Sequence, residues 1–236
     1  MKNASGCFFP FYPLNKKFSI LENVRLRRWF FFVVSVLNDI SIQIKKGHIV
    51  SIIGESGIGK STLLNIIGGL IRPDSGDIYI NNQSINYDLD TSKLRKKIFG
   101  FIFQSHCLLQ EFTVLENLIL PQIIADKMYS FSVNKAKEYL NLLNMEHKAH
   151  AYPNSLSAGQ CQRVSVIRSI INDPSILIAD EPTGNLDKNN SELILDLFVK
   201  LNKSLEQTIV IATHDKNVMK ISDLTYEIKN GKLELI

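Results

Sequence analysis

Residues 48–61 read His48-Ile49-Val50-Ser51-Ile52-Ile53-Gly54-Glu55-Ser56-Gly57-Ile58-Gly59-Lys60-Ser61, and no other passage constrains the fold as much. The nearly continuous apolar run before Gly54 suits a strand buried on both faces, as in the middle of a parallel sheet. The spacing Gly54-x-x-x-x-Gly59-Lys60-Ser61 is that of a phosphate loop. Its glycines let backbone N–H groups turn inward on phosphate oxygens where a Cβ would clash. Lys60 places an ammonium at the β- and γ-phosphates, and Ser61 offers a hydroxyl to Mg²⁺. A helix expected from Lys60 to Leu70, with Leu63, Leu64, Ile66 and Ile67 inside, adds the positive end of its dipole. Gly54, Glu55, Ser56, Gly57, Ile58, Gly59, Lys60, Ser61 and Thr62 are therefore the candidate nucleotide-binding residues.

A second strand carries acids to the same kind of place. Ile176-Leu177-Ile178-Ala179 ends in Asp180-Glu181, and in a parallel sheet the carboxyl ends of the strands face the ligand crevice. Asp180 is then placed to hold the Mg²⁺ shell. Glu181 lies one residue beyond, where it can polarise a water for attack on the γ-phosphate.

The remaining pattern alternates strands with helices, which gives an α/β sheet. Period-two alternation from Ile40 to Ile44 reads as a strand with one buried face, and Trp29–Leu37 reads as a strand from its aromatic and β-branched content. Pro73-Asp74-Ser75-Gly76 is a turn, followed by a strand at 77–81 and another at 98–103. Between Ser105 and Asp173 helical patterns dominate (114–124, 133–143 and 159–171), so this stretch reads as a helical insertion. A helix across 191–201, a strand at 208–212 and a hairpin of 224–229 and 232–235 around Asn230-Gly231 complete the chain. Residues 1–18 fit no element and read as a tail ahead of a domain spanning 19–236.

Bulk properties exclude several classes. No run reaches the roughly 18–20 apolar residues that a membrane helix needs. The net charge of +4 is too small, and its one compact basic run, Lys93-Leu94-Arg95-Lys96-Lys97, too short for a nucleic-acid binder; that run reads as a solvated helix face. Cys7, Cys107 and Cys161 form neither a metal spacing nor a disulfide framework, which suits a reducing cytosol.

Leu156-Ser157-Ala158-Gly159-Gln160 stands before a helix with Ser157 as its N-cap, a second device able to bind phosphate. With these residues in place the chain resembles the ATP-binding cassette (ABC) ATPases, from about Ser19 to the C-terminus. Their signature has Gly where this chain has Ala158. Phe103-Gln104 resembles the Q-loop, Asn185-Leu186-Asp187 the D-loop, and Thr213-His214-Asp215 the switch histidine. The run Ala179-Asp180-Glu181-Pro182-Thr183-Gly184-Asn185-Leu186-Asp187 resembles the branch with the lipoprotein-releasing, macrolide-export and cell-division ATPases. Gly100–Leu109 with Glu111–Asn117 is most similar to the lipoprotein-releasing members.

The resemblance implies a P-loop NTPase fold of ABC type, with an antiparallel β subdomain and an inserted helical subdomain. It implies ATP and Mg²⁺ as cofactors, with Ser61, Gln104 and Asp180 about the metal and Glu181, His214 and Gln104 as catalytic residues. It also implies a head-to-tail homodimer in which Ser157, Gly159 and Gln160 of one copy cover the ATP on the other copy's phosphate loop. An aromatic after Leu21-Glu22-Asn23-Val24 would stack on adenine; Trp29 is the candidate, with Phe30 as the alternative. The partners implied are two integral membrane permease subunits, and the setting is the cytoplasmic face of a bacterial inner membrane. The activity implied is ATP hydrolysis that powers lipoprotein release toward the outer membrane; macrolide-type efflux or a cell-division complex is the alternative. Nucleic acid is not an implied partner. A DNA-repair type would need a long coiled coil between loop and signature, and no sustained heptads occur there.

Overall fold

The computed structural model describes residues 17–28, 34–85 and 96–236. Two long strands, β1 (Lys17–Arg28) and β2 (Val34–Lys45), pair antiparallel, and β1 also pairs antiparallel with the short β4 (Ser75–Asp77), giving the order β2-β1-β4. β5 (Tyr79–Ile80) and β6 (Gln83–Ser84) form a small antiparallel pair. In β2 the buried residues are Leu37, Ile40, Ile42 and Ile44. The step of three between Leu37 and Ile40 falls at Asp39, whose φ is 49°. A residue out of extended conformation resets which face the chain shows, which explains why clean alternation starts only at Ile40.

The larger sheet holds β3 (Ile49–Ile53), β7 (Phe99–Ile102), β8 (Ile176–Asp180), β9 (Thr208–Ala212), β10 (Leu224–Lys229) and β11 (Lys232–Leu235) in the order β11-β10-β3-β9-β8-β7. All pairs are parallel except β10 with β11. Alternate residues of its middle strands feed two different cores. Val50, Ile52, Ile176, Ile178, Val210 and Ala212 face α1 (Lys60–Ile67) and the β2 side. Ile49, Leu177, Ala179, Ile209 and Ile211 pack with Phe198 and Ile194 of α5 (Lys188–Leu205) and with Val218 of α6 (Lys216–Ile221). Burial on both faces is why these strands read as continuous apolar runs and not as alternation.

A third core lies among α2 (Val114–Ile124), α3 (Tyr129–Leu142) and α4 (Ala158–Ile170), where Leu118, Leu140, Val164 and Ile167 are buried together. α4 also supplies Val166 and Ile170 to the core beneath the sheet. It thus links the helical layer to the sheet.

Several boundaries differ from the sequence reading. α1 stops at Ile67, with the chain turning through Gly68 and Gly69, whose φ is 66°. Ser75 and Gly76 lie in β4, because β1 offers that segment a pairing edge. The strand expected at 77–81 is split into the end of β4 and the short β5. α3 begins four residues before Val133, and α6 has too little apolar periodicity to be read from sequence. The strand expected over 29–37 is seen only from Val34 onward. Residues 29–33, the proposed tail up to residue 16 and the basic residues 93–95 lie outside the described residues.

Candidate functional site

Parallel strands end at one edge of a sheet, and here that edge collects the chemistry. β3 runs into the 54–59 loop, β8 ends at Asp180, β9 is followed by Thr213 and His214, and β7 is followed by Phe103 and Gln104. The register brings these ends level, with Ile52 opposite Ala212 and Ala212 opposite Asp180. Two backbone bonds extend the pairing past the strands: Thr213 N–H donates to Ile52 O at 3.0 Å, and Glu181 N–H to Ala212 O at 2.8 Å. The loop, the acids and the histidine therefore sit side by side because of topology.

In the loop, Gly59 has φ 115° and is the N-cap of α1 with no side-chain hydrogen bond to the helix. An L-residue would be strained at that φ, and the missing cap leaves first-turn N–H groups open to an anion. Lys60 is buried at 7% exposure, and its Nζ donates to Gly54 O at 2.8 Å and Glu55 O at 3.0 Å. The same Nζ is 3.7 Å from Glu181 Oε1, on a side chain only 13% exposed. The ammonium is held over the loop and joined to the acid by one short step. Glu55, Ser56 and Gly57 are exposed at the loop tip, Ile58 and Thr62 are half-buried, and Ser61 is exposed.

Glu181 has φ 45°, a costly region for a non-glycine residue unless its surroundings fix it. They do so here. Besides Lys60 and the backbone bond, Thr213 Oγ1 donates to Oε2 at 3.1 Å and His214 Nδ1 donates to Oε1 at 3.1 Å. Holding the imidazole proton on Nδ1 leaves Nε2 available. Thr213, fully buried, also accepts from Asp215 N–H at 3.0 Å, and Thr183 Oγ1 donates to Asp215 Oδ2 at 3.3 Å. Sequence reasoning missed these positioning partners. A hydroxyl directly before His214 and another two residues after Glu181 were the available signals.

Asp180 is half-buried, and loss of solvent pushes its carboxyl above the ordinary range; the neighbouring Glu181 charge adds to this, while a Ser61 hydrogen bond and Lys60 oppose it. Its Oδ1 is buried and has no hydrogen-bond partner. A buried, unsatisfied carboxylate oxygen beside a serine hydroxyl is what a hard cation completes. Among the described residues no three His, Cys, Asp or Glu side chains gather around one point. Mg²⁺ uses one or two protein oxygens together with phosphates and water. The orphaned Oδ1 and the uncapped helix start thus fit Mg²⁺ with a nucleotide phosphate tail.

Gln104 is exposed, and its backbone O accepts from Asn185 Nδ2 at 3.3 Å, so the segments resembling Q-loop and D-loop touch. The 156–160 turn lies elsewhere, at the start of α4. Ser157 Oγ accepts from Gln160 N–H at 3.3 Å and Gln160 Oε1 accepts from Ser157 N–H at 3.0 Å, a closed capping box. Gly159 is packed against the Asn190 side chain at the start of α5, which an added Cβ would have to displace. Ser157 and Ala158 are exposed. The fold gathers residues 54–62, 104, 180–181 and 213–214; it does not bring 157–160 onto this chain's own loop. Trp29 and Phe30, the expected adenine contacts, lie outside the described residues.

Residues 37–184 match the family model described as ABC transporter. The lipoprotein-releasing system ATP-binding protein LolD of Buchnera aphidicola subsp. Schizaphis graminum is 42% identical over 219 residues, covering 91% of this chain and 96% of that protein. LolD of Cytophaga hutchinsonii is 46% identical over 200 residues, covering 84% and 91%. A dimeric post-hydrolysis structure of the ATP-binding cassette MJ0796 with ADP and Pi superposes with a TM-score of 0.83 at 38% identity, covering 91% of this chain and 96% of that one. The chain belongs to the ABC transporter family, as an ATPase of P-loop α/β fold that binds ATP. The proteins it is similar to include LolD ATP-binding proteins and a cassette solved as a dimer.

Proposed function

We propose that this chain is the ATP-hydrolysing subunit of a lipoprotein-releasing transporter, working as a homodimer on two integral membrane subunits at the inner face of a bacterial inner membrane. The observation that carries the catalytic part is the fixed Glu181 carboxylate, bonded by Thr213 and His214 and 3.7 Å from Lys60 at the carboxyl edge of the sheet. The lipoprotein part rests on the likeness to LolD proteins over nearly the whole chain.

In this reading residues 54–62 hold the phosphates, with Lys60 releasing its carbonyl partners for phosphate oxygens. Ser61, Asp180 and Gln104 hold Mg²⁺, which neutralises charge on the phosphates when bound. Glu181 orients and deprotonates the attacking water. His214, tied to Glu181 through Nδ1, presents Nε2 toward the γ-phosphate. Ser157, Gly159 and Gln160 cover the nucleotide on the second copy, and Trp29 stacks on the base. The domain spans 19–236 with the helical part at about 105–173.

The test has two arms. Glu181→Gln is expected to bind ATP and lose turnover; wild-type turnover in that variant refutes the catalytic assignment. Affinity capture of the tagged chain from its own membranes is expected to recover two integral subunits able to release a lipoprotein from vesicles when ATP is added. Capture of an efflux or cell-wall assembly in their place refutes the lipoprotein assignment.

A further inference from the structure

Downstream of Gln104 the chain is fastened to α4 by side chains that belong neither to the phosphate loop nor to the signature-like turn. Gln162, 1% exposed, accepts through Oε1 from His106 Nδ1 at 2.5 Å. Arg168 donates from Nη1 to Cys107 O at 2.6 Å and from Nη2 to His106 O at 3.0 Å. Cys107 has φ 50°, a conformation that L-residues adopt at a cost. At the other end of the seam Gly100 of β7 lies against Ser169 O with no room for a Cβ. β7, residues 106–107 and α4 thus form one continuous contact line. It begins two residues from Gln104, and on α4 its contacts run from Gln162, two residues past the Ser157–Gln160 turn, to Arg168 and Ser169. Arg168 is half-buried, and both its bonds end on backbone carbonyls. It reads main-chain position and not residue identity.

We propose that Gln162 and Arg168 are positioning residues that make residues 104–107 and the 157–160 turn move together. Resting on the dimer reading given above, this couples the nucleotide on the chain's own loop to the one its turn covers on the second copy. Gln104 senses the first nucleotide, the His106–Cys107 backbone carries its displacement, and α4 delivers it to the turn as a rigid rod. Neither Gln162 nor Arg168 touches nucleotide.

The test compares Gln162→Leu, Gln162→Glu and Arg168→Lys in the full chain, reading ATP affinity at low protein concentration, thermal stability, kcat and the Hill coefficient for ATP. For two coupled sites the wild type is expected to give a Hill coefficient approaching about 2. Gln162→Leu is expected to lower kcat about tenfold and bring the Hill coefficient to about 1, the loss of a coupling of ordinary size, with low-concentration ATP affinity unchanged. Gln162→Glu, which still accepts from His106 Nδ1–H, is expected to restore both. Arg168→Lys keeps one donor and is expected to fall between. A Gln162→Leu protein that keeps the wild-type kcat and Hill coefficient overturns the proposal while leaving the dimer reading intact. A wild type with one non-cooperative site overturns the two-site reading and the coupling with it. A Gln162→Leu protein that loses ATP affinity along with cooperativity assigns Gln162 to the folding of the site and overturns the proposal as well.

Discussion

Two helix starts in this molecule are built in opposite ways. α1 opens at Gly59, in left-handed backbone and with no side-chain cap, and its first buried side chain is an ammonium. α4 opens at Ser157, closed on itself by the Gln160 capping box, with Ser157 and Ala158 exposed. The first is built into the sheet edge and meets Glu181 through Lys60. The second is fastened from behind, by Asn190 at Gly159 and by the seam to residues 106–107. On the proposed function, the uncapped, buried start receives phosphate on its own chain, and the capped, exposed start is a stable surface whose hydroxyl serves a second copy.

The largest effects are expected at the sheet edge. Glu181→Gln keeps the shape and removes the base, so kcat should fall by about 10²–10⁴, the range for a general base, while ATP affinity measured by a fluorescent analogue stays near wild type. Lys60→Met removes the ammonium and its charge-assisted bonds, and equilibrium ATP binding should weaken by about 10–100-fold, as loss of a hydrogen bond to a charged group implies. If Lys60→Met left binding unchanged, the α1 start would not be the receiving site.

Smaller effects are expected at Ser157 and Asp180. Ser157→Ala removes the N-cap of α4, which should cost about 1 kcal/mol and lower Tm by about 2–4 °C, yet leave single-chain ATP affinity untouched. The same variant lowering single-chain affinity would place the turn in its own chain's site. The smallest effect concerns Asp180. Its folded-state carboxyl is held above the ordinary range chiefly by burial. Protonation therefore favours the folded, nucleotide-free state, and that contribution is lost as pH rises through the raised value. Asp180→Asn should accordingly raise the Tm of the nucleotide-free protein at neutral pH, by about 2 °C for a gain below 1 kcal/mol. It should also abolish the Mg²⁺ dependence of ATP binding. In the wild type that Mg²⁺ dependence should fade on acidification at a pH above that of an ordinary aspartate.

The residues that carry the receiving site were legible in sequence because covalent spacing dictates them. A buried strand, a glycine loop and Lys60 are consecutive, and Asp180-Glu181 ends an apolar run. Topology then had only to bring parallel strand ends to one edge. What sequence did not show depends on tertiary pairing. Thr213 and Thr183 owe their position to the β9–β8 register, and the grip of Gln162 and Arg168 on residues 106–107 spans roughly sixty residues of chain. The β4 pairing was misread as turn because Ser75-Gly76 has turn composition and becomes strand only where β1 supplies an edge. The early start of α3 was missed because Tyr129–Val133 buries only Ser132.

On the proposed function the exposed α4 start completes a nucleotide site on a second copy. Sedimentation of Glu181→Gln with and without Mg-ATP tests it most directly, with Glu181→Gln/Ser157→Arg run alongside. The expected result is a monomer without nucleotide, a dimer with ATP, and a monomer that still binds ATP once Ser157→Arg blocks the turn. A dimer that forms equally well with Ser157→Arg, or an ATP-saturated Glu181→Gln protein that stays monomeric, would contradict it.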